Sequence, residues 1–115
     1  MRRLLCLLAL ALVATGCASV SPIRYQNEKP ELNLSRYLEG PLEAWGIFQN
    51  RKGRVVKRFH VKMVGTWNGK VGRLEEDFTY SDGATQRRVW TITQRDAHHY
   101  TGTADDVVGI AKGEA

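Results

Sequence analysis

From Glu43 onward the chain alternates between apolar and polar positions with a period of two. In residues 54–67, RVVKRFHVKMVGTW, one side of the alternation carries Val55, Lys57, Phe59, Val61, Met63, Gly65 and Trp67. The other carries Arg54, Val56, Arg58, His60, Lys62, Val64 and Thr66. A mainly apolar face backed by a mainly polar one predicts a half-buried antiparallel strand, with Lys57 as its misfit. Asn68-Gly69 supplies a hairpin turn, residues 70–80 the next strand, Asp82-Gly83 another turn and residues 84–95 a further strand. A strand over 98–104 follows, residues 107–115 read as another, and Ala44–Asn50 pairs backward across the Asn50–Gly53 turn. The fold class is all-β: an antiparallel up-and-down meander forming a partial, lipocalin-like β-barrel. An open sheet packed on another layer is the alternative. Five or six strands fall short of an eight-stranded barrel, which needs about 140 residues, so the C-terminus is expected to be truncated or the reading frame broken.

The period is lost upstream. In LNLSRYLEGP (32–41), Ser35 is placed to cap a short helical turn that Gly40-Pro41 stops. Leu34, Tyr37 and Leu38 would plug one end of a barrel or pack beneath it. Residues 17–31 read as a tether, polar and rich in turn formers. Residues 1–16 read as an export signal: Arg2 and Arg3 precede the apolar run LLCLLALALVA (4–14), about half the roughly 20 residues of a membrane span. Ala14-Thr15-Gly16-Cys17 resembles a bacterial lipobox, with Ala14 where Leu is commonest. Acylation at Cys17, palmitate included, would supply several chains where one anchors only marginally. By the sorting rule that resemblance brings, Ala18 after the cysteine favours the outer membrane, facing the periplasm. An ordinary signal peptide with a chance cysteine is the alternative. The domain therefore spans 32–115.

Cys6 would leave with the signal and Cys17 would be acylated, which leaves no thiol for a disulfide, a nucleophile or a metal. Residues 17–115 keep 15 of 17 basic side chains and all 12 acidic ones, a net charge of +3. The excess is concentrated in residues 51–73, which carry eight Lys and Arg and no acid. Such a face can meet anionic lipid headgroups, though a solvated strand face is the simpler reading. Nucleic acid is not an expected partner in this compartment.

The stretch LEEDFTYSDGATQRRVW (74–90) brings acids and bases to a hairpin. If Tyr80 pairs with Ala84 across a three-residue loop, Asp77 faces Arg87, Glu76 faces Arg88 and Leu74 faces Trp90. A two-residue loop would break both charge matches, so complementarity favours the longer one. Alternation then sets Glu76 and Arg88 on the apolar face with Phe78 and Trp90. That inward ion pair would fix strand register, or anchor a ligand at the floor of a cavity. Glu76, Arg88, Trp90 and Phe78 are thus the candidate ligand-binding residues. Catalysis by Glu76 is disfavoured, because pairing with Arg lowers a carboxylate pKa.

His98-His99 and Asp105-Asp106 do not suggest a metal, since adjacent strand residues point to opposite faces, and His60 is isolated. No hydrolase, zinc-protease or phosphate-loop motif is present. Gly65-Thr66-Trp67 is similar to the lipocalin G-x-W signature, but sits on an internal strand. No cofactor is expected.

Three strings, GPLEAWGIFQNRKGRVVKRF (40–59), EEDFTYSDGATQRRVWTI (75–92) and TADDVVGIAKGEA (103–115), resemble the bacterial lipoproteins grouped as domain of unknown function 3833. The resemblance runs from about Leu32 to the last residue. It implies a lipobox, a β-rich domain and further strands beyond a G-E-A segment, and it brings no catalytic residues. The expected function is therefore a non-enzymatic, lipid-anchored envelope protein that binds a hydrophobic ligand such as a fatty acid or phospholipid. A scaffold lipoprotein that binds another envelope protein is the alternative.

Overall fold

The structure, a computed structural model, describes residues 20–115. The signal segment and the lipidation candidate Cys17 lie outside the described residues. Val20–Glu31 belong to a separate N-terminal unit. Within it Pro22–Tyr25 form a 3-10 turn that buries nothing.

The second unit, Leu32–Ala115, is the β domain. It opens with a one-turn helix α1 (Leu34–Tyr37), followed by strands β1 (Gly40–Gln49), β2 (Val55–Asn68), β3 (Val71–Tyr80), β4 (Thr85–Gln94), β5 (His99–Thr103) and β6 (Ala111–Glu114). The six strands form one sheet in sequence order, every neighbour antiparallel, curled into a half-barrel. The alternation and turn signals thus lead to the meander they predict. Three boundaries differ from expectation. Asn33, not Ser35, caps α1: its Oδ1 accepts from the Arg36 backbone N–H at 3.1 Å, and Ser35 Oγ donates to the same oxygen. Pro41, expected to end the helix, lies inside β1, an edge strand where a missing N–H is tolerated. Only Ala111–Glu114 of the segment 107–115 is strand.

The turns behave as their residues dictate. Gly53, Gly69 and Gly83 take positive φ, and Asn50 and Asp82 accept backbone N–H groups within their own loops. Tyr80 N–H donates to Ala84 O at 2.9 Å across Ser81–Gly83, which sets the pairs Asp77–Arg87, Glu76–Arg88 and Leu74–Trp90 as charge matching predicts.

On the concave side glycines face aromatic rings. Gly46 lies under Phe59, Gly72 under Trp67 and Gly102 under Trp90; at the first two a Cβ would collide with the ring. Gly65 has a different neighbour. A Cβ there would fall on the Leu38 carbonyl oxygen, the group that accepts Trp67 Nε1–H at 3.3 Å. So Gly65 and Trp67 seat the chain leaving α1 against one end of the sheet. Leu34 and Leu38 are half-buried there, whereas Tyr37 is exposed and plugs nothing. Among the described residues only Val61, Leu74 and Tyr100 are buried large hydrophobic side chains. The rest of the concave apolar surface remains partly open.

Candidate functional site

β2, β3 and β4 place the candidate residues side by side on the concave face. Phe59 packs against Phe78 at 5.6 Å between centroids, and Phe78 stacks on Tyr80 at 6.0 Å and 9°. The Arg88 guanidinium lies 5.7 Å from the Phe78 ring centre and 6.0 Å from that of Trp90. Glu76, Arg88, Trp90 and Phe78 are therefore brought together as the alternation implies. Lys57, the misfit, also turns inward: its Nζ sits 4.3 Å over the Tyr80 ring and 3.1 Å from Asp82.

The expected ion pair does not form. Glu76 and Arg88 occupy opposed positions, but Arg88 donates from Nε and Nη2 to Asp106, at 2.8 to 3.0 Å. Asp106 also accepts from Gln86 Nε2 at 3.0 Å, and Tyr80 Oη donates to Gln86 Oε1 at 2.8 Å. A carboxylate on the loop before β6 thus outcompetes the carboxylate directly across the strand. The reason is solvation. Asp106 stays partly open to water, its side chain 39 % exposed, and meets the guanidinium in a two-pronged geometry. Glu76 would have to ionise in a desolvated place.

Glu76 is left with a buried Oε2 that has no hydrogen-bond partner. Burial pushes its carboxyl above the ordinary range, and the nearby Arg88 charge and Trp90 indole only partly offset this. The lowered pKa expected from an Arg pair is thereby corrected. Asp106 moves the other way, held below the usual carboxylate range by its bond to Arg88. Beside this group, Leu74, Trp90, Ile92 and Tyr100 line an apolar cleft of about 210 Å³ that reaches toward β6.

The histidines take other roles. His60 is not isolated: it stacks on Trp45 at 4.8 Å and 14°, with Nε2 2.8 Å from Glu43. His98 Nδ1 lies 2.8 Å from Ala115 O, and His99 Nδ1 2.8 Å from Asp96 Oδ1. Asp96 is held down to about 2, first by the His98 backbone N–H and then by His99. No group of three His, Cys, Asp or Glu fit to hold a metal occurs among the described residues, and no helix among them is long and apolar enough to cross a membrane.

Sequence reasoning missed Asp106 and Gln86 as partners of the inner face. Asp105-Asp106 was visible only as a pair of adjacent acids. Their place in a loop rather than a strand frees Asp106 to reach back to β4. A family model described as "Protein of unknown function (DUF3833)" matches residues 11–115. No curated protein and no solved structure matches the chain.

Proposed function

The chain belongs to the DUF3833 family, described only as being of unknown function, and on that premise we propose that it is a lipid-anchored envelope protein whose concave face binds a hydrophobic ligand, a fatty acid or the acyl part of a phospholipid. The observation that carries this reading is the half-open aromatic face around an orphaned carboxyl oxygen. Phe59, Phe78 and Trp90 are neither buried nor solvated in full, which suits apolar surface kept for a guest. Glu76 Oε2 and the Arg88 guanidinium beside it suit a polar head: the unpartnered carboxyl oxygen offers a hydrogen-bond partner, and Arg88, shared with Asp106, adds positive charge. Arg2-Arg3, the apolar run 4–14 and Cys17 support export and acylation. We read the site as a binder rather than an enzyme, at the outer membrane facing the periplasm.

The full-length protein purified without detergent is expected to carry lipid that mass spectrometry of an organic extract identifies. A fluorescent fatty acid should exchange with that lipid, and Phe78→Ala should weaken its binding. Protein that carries no lipid and leaves the probe unbound would overturn the reading. The alternative, a scaffold that binds another envelope protein, draws support from β1, a ten-residue edge strand available for pairing. Proximity labelling in the periplasm with one dominant protein neighbour would favour it.

A further inference from the structure

The β1–β2 hairpin carries a second surface that the ligand reading does not use. β2 pairs with β3 only from Phe59, opposite Tyr80, and Ser81 closes that pairing through two bonds to the Arg58 backbone. Residues 49–56 therefore project beyond the neighbouring hairpin, by about 13 Å at 3.3 Å per residue. A bulge sits in the projection: Phe48 pairs with Lys57 and Gln49 with Val55, so Val56 is the extra residue. This corrects the simple alternation, which put Val55 on the buried side; it is exposed.

Large apolar side chains stand in water here. Trp45 is 73 % exposed, Ile47 53 % and Val56 63 %, and Phe48 and Val55 are also exposed. Interleaved with them are Arg51, Lys52, Arg54, Arg58 and Lys62, all exposed, none in a salt bridge among the described residues. The nearby acids are engaged: Glu43 with His60, Asp82 with Lys57, and Asp77 with Arg87. Residues 44–74 contain no acid at all.

We propose that the β1–β2 hairpin docks on an anionic phospholipid surface, with Trp45, Ile47 and Val56 entering the headgroup layer and the basic side chains meeting its phosphates. An aromatic and aliphatic side chains beside solvated cations match the boundary between hydrocarbon and headgroups. Nucleic acid or an acidic protein would satisfy the cations but leave the aliphatic side chains in water. A second copy of this hairpin would be repelled by the same charges. The proposal is independent of whether the concave face holds a ligand, and of acylation at Cys17.

The test uses the full chain with vesicles of phosphatidylcholine, alone or mixed with phosphatidylglycerol, each containing a brominated lipid that quenches tryptophan. Trp45→Phe identifies the Trp45 component, since Trp67 and Trp90 lie on the concave side. Attachment through the N-terminal segment is common to all vesicles, so hairpin contact is read as Trp45 quenching that needs phosphatidylglycerol. It should weaken with salt, and fall about a hundredfold in apparent affinity in R51E/K52E/R54E, at roughly fivefold per basic residue. These side chains make no bonds to the fold, and the turn is held by backbone N–H groups at Asn50, so circular dichroism should be unchanged. I47S/V56S keeps the charge and should reduce quenching depth. Equal quenching with and without phosphatidylglycerol, or no loss in the charge-reversed variant, would overturn the proposal. So would a Trp45 response to polyglutamate but not to vesicles, which would make the partner an acidic protein.

Discussion

Two charge pairs sit on adjacent rungs of one hairpin and meet opposite fates. Asp77–Arg87, on the convex side, closes with two contacts of 2.9 and 3.0 Å, and Glu75 is a second partner to Arg87 at 3.5 Å. Glu76–Arg88, on the concave side, stays open while Arg88 turns to Asp106. Both pairs share strand geometry and charge. They differ in solvation. On the wet face the opposed position is enough to bring the partners together, and the gain is small because water screens it. On the apolar face an ion must be desolvated before it can pair, so the carboxylate that keeps its water wins the arginine.

The largest effect that would sharpen this contrast is steric and lies on the concave face. Gly65→Ala drives a methyl group into the Leu38 carbonyl, and a loss of about 3 kcal/mol is expected in urea unfolding. Thr66→Ala, one residue away on the convex face, should change stability by less than about 0.5 kcal/mol. Comparable losses at both positions would break the distinction between the faces.

Next comes Arg88→Ala, which strips Glu76 of its nearest cation and uncovers Phe78 and Trp90. About 1 kcal/mol should be lost, near the low end for a charged hydrogen bond because Asp106 is partly open to water. If Glu76 were the true partner, Asp106→Asn would leave stability untouched and Glu76→Gln would be costly. The reverse is expected.

A subtler effect is pH dependence. The Glu76 carboxyl titrates higher when folded than its unfolded reference of 4.5. The unfolded chain therefore releases this proton first. Stability falls as pH rises from 4.5 through the folded value and then levels off. Glu76→Gln should remove that decline, read as the difference between wild-type and variant unfolding midpoints across the range. Identical pH profiles would show that Glu76 is not desolvated.

The smallest expected effect belongs to the convex pair. Asp77→Asn should leave the unfolding midpoint nearly unchanged at moderate salt, with a difference emerging only at low ionic strength. A large, salt-independent loss would place the pair in a drier setting than its exposed side chains suggest.

These contrasts also mark what the sequence made legible. Register was readable, because Asn-Gly and Asp-Gly turns and two opposite-charge rungs constrain the same hairpin from different ends. The choice of arginine partner was not, since it depends on a loop that returns from eighteen residues away. The alternation in 107–115 suggested strand throughout, yet Asp105–Ile110 forms that loop and only four residues pair. The bulge at Val56 was equally hidden: it moves one valine without altering the apolar count that signals a strand. The candidate site was found as a set of neighbours, but its electrostatics were inverted, because strand opposition says nothing about desolvation.

The glycine beneath Trp67 carries a consequence for how this chain can drift. Gly72→Ala should be damaging with the indole in place, because the new methyl collides with it. With Trp67→Leu already present, the same change should become tolerable, so the two costs will not add. Positions 67 and 72 then form an evolutionary ratchet: whichever changes first decides whether the other is still free to move.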